Sequence, residues 1–286
     1  MAVARLLGSI PLSLFMEEHY QKLPFALAGG CADFQHLGSW DALEEIWQQD
    51  GLDLLASGSQ GVWAGDDPKT NADARAMLAA GYTLGLRNTQ KQLPALAELA
   101  ADFQRDFLAT IDVQIYCTPA GSPGFGWHYD FEDVFILQTV GCKDWWLRKN
   151  TVNPWPLKET LAPDMRYEAE IMPLVHCTLR AGDWLYIPAG YWHRTSASEE
   201  SISLSIGVAA QTGLDVFDSL RRQLIDSMLW RQRFPAAGAA NPMSDRELLG
   251  AYREQMRVLG EDLSRILADP KTARDFLAAQ GRAIEP

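Results

Sequence analysis

The chain has 286 residues, enough for one sizeable domain plus an appendage, and its 47% hydrophobic and 22% charged composition is that of a soluble globular protein. No apolar run is long enough to span a bilayer, and Met1–Pro11 lacks the full apolar region and cleavage site of an export signal. A formal net charge of -12 argues against a nucleic-acid surface, which needs clustered Lys and Arg, and is compatible with a basic partner.

The first segment, 1–110, reads as helices joined by loops. Ser39 is placed to cap a helix over Trp40–Gln49, and Leu96, Leu99, Phe103 and Phe107 recur at helical spacing as a core-facing stripe. From Ile111 the texture changes to short β-rich runs, Ile111–Cys117, Asp133–Val140 and Asp144–Arg148, punctuated by Pro and Gly. A proline-rich stretch, 149–173, is too long for a hairpin turn and reads as a covering loop. Strands resume at Leu174–Leu179, Trp184–Ile187, Trp192–Ser196 and Ile202–Val208, which sets the β core at 111–212.

The last segment, 213–286, returns to a helical period. Leu214, Phe217, Leu220, Leu224 and Met228 form one stripe, and Leu249, Tyr252, Met256, Leu259, Leu263 and Ile266 alternate steps of three and four. Such a seam either docks on its own domain or serves as a face for homodimerisation; periodicity does not say whose surface covers it. Cys31, Cys117, Cys142 and Cys177 show no CxxC spacing, so they form neither a zinc knuckle nor a disulfide framework, and a reducing cytoplasm fits best.

The chemistry concentrates in two places. In Trp127-His128-Tyr129-Asp130 an imidazole and a carboxylate sit two residues apart, and on an extended backbone such positions face the same way. A turn at Gly182-Asp183, a strand and a second turn at Pro188–Gly190 lead to His193, which an antiparallel barrel would return beside the first pair. Two histidines and one carboxylate on one face of an ion leave the opposite face open, the arrangement suited to non-haem Fe(II) and O2. His19, His36 and His176 lack this context and read as structural or surface residues, although His176, in an expected strand, is also a candidate for a substrate pocket.

The run from His128 through Gln138, Gly141 and Lys143 to Trp145, with Gly182–Pro188 and Trp192-His193, resembles the Jumonji C oxygenases, in particular the bacterial ribosomal oxygenases. The resemblance is specific over 114–208 and looser at both ends. It implies a mainly β fold, a double-stranded β-helix (jelly roll, cupin-like) with a helical N-terminal segment and a helical C-terminal region. It implies Fe(II) on His128, Asp130 and His193, 2-oxoglutarate as cosubstrate, O2 as oxidant, and hydroxylation of a side chain of a protein such as a ribosomal protein.

Lys143 follows the metal pair on the next strand, where its ammonium would meet the distal carboxylate of 2-oxoglutarate. Tyr116 matches a position whose hydroxyl helps hold that cosubstrate, and Gln114 stands where relatives often carry asparagine. Of Ser203 and Ser205, which alternate on one strand, Ser205 is the one expected to face the pocket. Trp127, Tyr129, Trp145, Trp146 and Trp184 either shape a dry site or simply pack. Two other readings share the metal site: an oxygenase of a small molecule or peptide natural product, with 149–173 as its lid, and a metal-binding cupin without oxygenase activity.

Overall fold

A computed structural model of the chain describes residues 1–161, 172, 174–236, 238, 241 and 243–281. Residues Met1–Ala210 form one compact unit and Gln211–Pro286 a second.

The first unit opens with helices α1 (Ala2–Leu7) and α2 (Leu12–Glu18), strand β1 (Phe25–Leu27), a tight helical turn over Ala32–Gly38 and helix α3 (Trp40–Trp47). Ser39 caps α3 as expected, its Oγ accepting the Ala42 N–H at 3.2 Å. There follow β2 (Asp53–Gly58), β3 (Gly61–Val62), α4 (Asn71–Ala79), β4 (Thr83–Arg87) and α5 (Pro94–Phe107). Leu96, Leu99 and Phe103 of α5 are buried, and Pro94 starts the helix where its missing N–H costs nothing. The expected helices are present, but the four strands among them were not anticipated. These segments are short and lack clean alternation, and they are strands because a neighbouring sheet edge completes their hydrogen bonds.

The β core comprises β5 (Thr110–Thr118), β6 (Asp133–Val140), β7 (Cys142–Arg148), β8 (Val175–Arg180), β9 (Trp184–Ile187), β10 (Trp192–Ala197) and β11 (Ser201–Ala209). They build an eight-stranded sheet in the order β1-β9-β6-β11-β5-β4-β2-β3 and a three-stranded sheet, β10-β7-β8. Every pairing is antiparallel. The chain passes from β6 in one sheet to β7 in the other at Gly141, whose φ of 71° favours glycine. A Cβ there would also lie 2.2 Å from the Glu200 carbonyl oxygen.

Strand parity sorts the side chains. Val113, Ile115 and Cys117 of β5, Phe135 and Leu137 of β6, Trp184 and Tyr186 of β9 and Ile202, Leu204 and Ile206 of β11 turn outward to a core shared with the N-terminal helices. The opposite parity brings Val134, Ile136, Leu185 and Ile187 from the large sheet against Trp145, Leu147 and Leu179 from the small one. This inner layer is the interior of the barrel, and the site occupies its polar end.

Of the loop 149–173, the described part makes a helical turn at Lys158–Thr160; residues 162–171 and 173 lie outside the described residues. The second unit contains α6 (Gly213–Leu224), α7 (Asp245–Ala268) and an additional helix, α8 (Pro270–Ala279), whose start Asp269 caps. Ser244 and Glu247 form a capping box at the start of α7. Leu220 of the α6 stripe is buried, whereas Phe217 and, on α7, Leu249 and Met256 are more than half exposed.

Candidate metal centre and its cavity

His128 and His193 come together through backbone pairing. The His128 N–H donates to the His193 carbonyl at 3.0 Å and the His193 N–H to the His128 carbonyl at 2.8 Å, a single bridge outside the regular ladders. The turn before β10 is tied to the same segment, with Gly190 N–H donating to the Asp130 carbonyl at 2.8 Å. Asp133, buried at the start of β6, accepts the Tyr186 hydroxyl at 2.5 Å and the Ala189 N–H at 3.3 Å, which holds this turn against the strand that follows Asp130.

One ligand atom from each of His128, Asp130 and His193 lies within 4.8 Å of the others, and the imidazole centroids are 4.2 Å apart. Both imidazoles are oriented alike: His128 Nδ1 lies 3.0 Å from the Gly126 carbonyl oxygen, and His193 Nδ1 lies 3.0 Å from that of Tyr191. A carbonyl only accepts, so each Nδ1 carries the hydrogen and each Nε2 keeps its lone pair free for a metal. His193 Nε2 already lies 3.4 Å from Asp130 Oδ2. Burial and the neighbouring His128 push the His193 pKa down, against the opposing charge of Asp130, which favours the neutral ring that binds a metal. Two imidazole nitrogens and one carboxylate oxygen converging on one point fit a divalent transition metal.

The triad opens into a cavity of about 90 Å³ that Gln114, Tyr116, Lys143 and Ser205 also line. All seven residues singled out in the sequence therefore border one space. Lys143 is 2% exposed, and its Nζ donates to Ser203 Oγ at 2.9 Å. Burial pushes its pKa down to about 8, with Cys117 acting in the opposite direction. Of the two serines, Ser205 lines the cavity and Ser203 supports Lys143.

Among the aromatic candidates, Trp145 lines the cavity. Trp184 belongs to the outer core with its Nε1–H on the Leu6 carbonyl, and Tyr129 packs edge-on to Trp192. Trp146 stacks on His176 on the outward face of the small sheet, where His176 lies 3.2 Å from Asp144 Oδ1. His176 is thus a surface residue.

Thr83, Thr118, Phe125, Glu132 and Thr195 also line the cavity, and sequence reasoning missed them. Parity would have found Thr118 from Gln114 and Tyr116, and Thr195 from His193; Thr83 arrives on an unanticipated strand. Glu132 sits with its carboxyl against Gly207, where a Cβ would lie 2.4 Å from it. Burial, then the charges of Asp130 and Asp112, push its pKa up to about 8.

Residues 86–216 match the model of the JmjC domain family. Over that stretch, a little under half of the chain, the sequence is similar to a JmjC domain. The matched region includes β5–β11, the triad and Lys143, and with them the whole cavity apart from Thr83. The chain is 26% identical over 220 residues to the bifunctional lysine-specific demethylase and histidyl-hydroxylase NO66 of Drosophila persimilis, covering 73% of this chain and 31% of that protein. Its counterpart from Dictyostelium discoideum is 37% identical over 133 residues, 45% of this chain and 25% of that one. The chain thus spans less than a third of the length of these curated relatives. The chain shares a fold with the Escherichia coli ribosomal oxygenase YcfD. One crystal structure of that protein aligns with a TM-score of 0.63 at 22% identity, over 97% of this chain and 73% of that one. Another, in complex with cobalt and 2-oxoglutarate, aligns at 0.60 and 22% identity, over 95% and 71%.

Proposed function

We propose that the chain is an Fe(II)- and 2-oxoglutarate-dependent dioxygenase that hydroxylates a side chain of a protein substrate. The observation that carries this reading is one cavity with an open two-histidine, one-carboxylate face at one end and a buried ammonium, Lys143, at the other. Lys143 and His193 reach it from strands paired side by side, β7 and β10, in which Lys143 stands opposite Ala197 and His193 opposite Leu147. A short dicarboxylate fits this polarity, with its keto-acid end on the metal and its distal carboxylate on Lys143. The cobalt and 2-oxoglutarate complex of YcfD supports the same pair of ligands here.

His128, Asp130 and His193 hold the metal, their Nδ1 and backbone bonds fixing the ligand geometry before it binds. Lys143, backed by Ser203, neutralises the distal carboxylate, and Ser205 lies on the same face of β11. Trp145, which is buried, and Phe125 supply apolar walls to the cavity. Bound Fe(II) would couple the reaction of O2 with the oxidative decarboxylation of 2-oxoglutarate to the hydroxylation of a C–H bond.

The likeness to the ribosomal oxygenase YcfD supports a ribosomal protein as the substrate in this reading, and a net charge of -12 favours a basic polypeptide. The exposed apolar residues of α6 and α7 fit homodimerisation through 213–286, and four unpaired cysteines fit the cytoplasm.

Purified protein with Fe(II), ascorbate, O2 and 2-oxoglutarate is expected to form succinate, and ribosomal proteins from a deletion strain are expected to lack a +16 Da modification found in the parent. No succinate with or without extract proteins would sink the oxygenase reading; an unchanged ribosomal pattern would sink the substrate.

A further inference from the structure

The two imidazoles of the metal centre are oriented by carbonyls of unequal rigidity. His193 Nδ1–H donates to the Tyr191 carbonyl at 3.0 Å, and the Tyr191 hydroxyl in turn donates to the Lys22 carbonyl at 3.0 Å, 169 residues away in sequence. Tyr191 is buried in the inner layer of the barrel, and its own N–H donates to the Pro188 carbonyl at 3.1 Å. The residue is therefore held at its N–H by the turn, at its carbonyl by the histidine and at its side chain by the N-terminal segment. His128 Nδ1 relies on the carbonyl of Gly126, a residue with no side chain to anchor. The difference follows from topology. His128 and Asp130 share one stretch of chain, whereas His193 is delivered by a separate turn, so its position is only as fixed as that turn.

The N-terminal end of this tie is itself fixed. After α2 the backbone of Gln21 is left-handed, at φ 58°, a conformation that a residue with a Cβ keeps only when its surroundings over-determine it. Here they do. The N–H groups of Lys22 and Leu23 both donate to the His19 carbonyl at 2.9 Å, and the Tyr20 ring stacks on Phe107 at 4.8 Å between centroids. Gln21 N–H donates to the Tyr186 hydroxyl at 2.7 Å, and that hydroxyl passes its proton bond on to Asp133, which also accepts the Ala189 N–H. Adjacent residues, Gln21 and Lys22, thus hold Tyr186 and Tyr191, one on each side of the Pro188–Gly190 turn.

We infer that the Lys22 carbonyl and the Tyr191 hydroxyl form a clamp that orients His193 for the metal, so that the segment after α2 tunes metal affinity although none of its side chains reaches the ion. Tyr191 is a positioning residue: it acts through the bond from its own carbonyl to His193 Nδ1. A ligand imidazole binds well only when its outer partner holds the ring in the coordinating orientation, and that partner is only as good as its own anchorage. The assignment rests on the reading of His128, Asp130 and His193 as metal ligands.

Tyr191→Phe tests it, because the ring is kept and only the hydroxyl is lost. In the full chain, the Co(II) affinity by calorimetry is expected to fall about tenfold, and the visible absorption bands of bound Co(II), which report ligand geometry, are expected to shift. At saturating Co(II) the 2-oxoglutarate affinity should stay within about threefold of wild type, since Lys143 is untouched. A purely structural hydroxyl would lower the urea midpoint and leave the affinity and bands of the folded protein unchanged. Coupling is reciprocal, so in the wild type Zn(II) should slow amide hydrogen exchange at Gln21, Lys22 and Leu23 about tenfold, while amides of α3, which has no part in these bonds, keep their rates. That measurement needs no variant and stands even if Tyr191→Phe fails to fold.

A Co(II) affinity within about threefold of wild type with unchanged bands, or exchange at residues 21–23 that ignores the metal, overturns the clamp and leaves the metal-site and oxygenase readings intact. Failure of the wild-type chain to bind either Co(II) or Zn(II) overturns all of them.

Discussion

Replacing Lys143 by methionine should make the ligand-free protein more stable while abolishing cosubstrate binding. Lys143 is charged below pH 8 in both the folded and the unfolded chain, but in the folded protein it is buried, and its pKa falls from 10.5 to about 8. The difference, 10.5 less 8, converts at roughly 1.4 kcal/mol per unit to a cost of about 3 kcal/mol. Methionine matches the stem and removes the charge, while Ser203 loses its 2.9 Å partner at a cost of roughly 1 kcal/mol, leaving a net gain of about 2 kcal/mol. The pH dependence has a definite sign. Between about pH 8 and 10.5 the unfolded chain binds the proton that the folded one has lost, so wild-type stability rises with pH in that window. The cost is fully present below it and gone above it.

Urea unfolding at pH 7 and at pH 10 reads both effects. Lys143→Met should be the more stable protein at pH 7, and its advantage should shrink toward pH 10. For 2-oxoglutarate, loss of a charge-assisted bond should weaken binding by about ten- to a hundredfold or more. Should the variant prove less stable than wild type at pH 7, or the advantage not depend on pH, Lys143 is not a desolvated cation held in reserve for a ligand.

The remaining expectations are narrower. Asp130→Ala should lower Mn(II) or Fe(II) affinity at least about tenfold by calorimetry, because it removes one of three protein ligands; unchanged affinity would place the metal elsewhere. Tyr186→Phe leaves the buried Asp133 without its 2.5 Å donor and should cost about 1–3 kcal/mol in chemical unfolding. Gly207→Ala places a Cβ where the Glu132 carboxyl lies, at 2.4 Å, so that flexible side chain must move; its pKa, about 8 in the parent, should fall toward the usual carboxylate range in a carbon-detected NMR titration. If 213–286 pairs two copies, Met256→Glu should convert a dimer to a monomer in light scattering, Met256 being 58% exposed in the single chain.

Much of the metal centre was legible in the sequence because its information is local. His128 and Asp130 share a face for the reason any i and i+2 residues on an extended backbone do, and the turn before His193 announces itself through Gly182, Pro188 and Gly190. The strands of the β core appeared at nearly their full lengths for the same reason, as short β-rich runs, several of them bounded by Gly or Pro. Only the three-dimensional pairing could decide the rest. Register sets Ser203 opposite Tyr116 and Ser205 opposite Gln114, and with them which serine reaches the cavity and which one supports Lys143. It also carries Thr83 into the site on a strand that becomes one only by pairing with β5. The burial of Lys143 against Ser203 and the anchoring of Tyr191 on Lys22 depend on neighbours 60 and 169 residues away, and no local pattern encodes which group a proton is shared with.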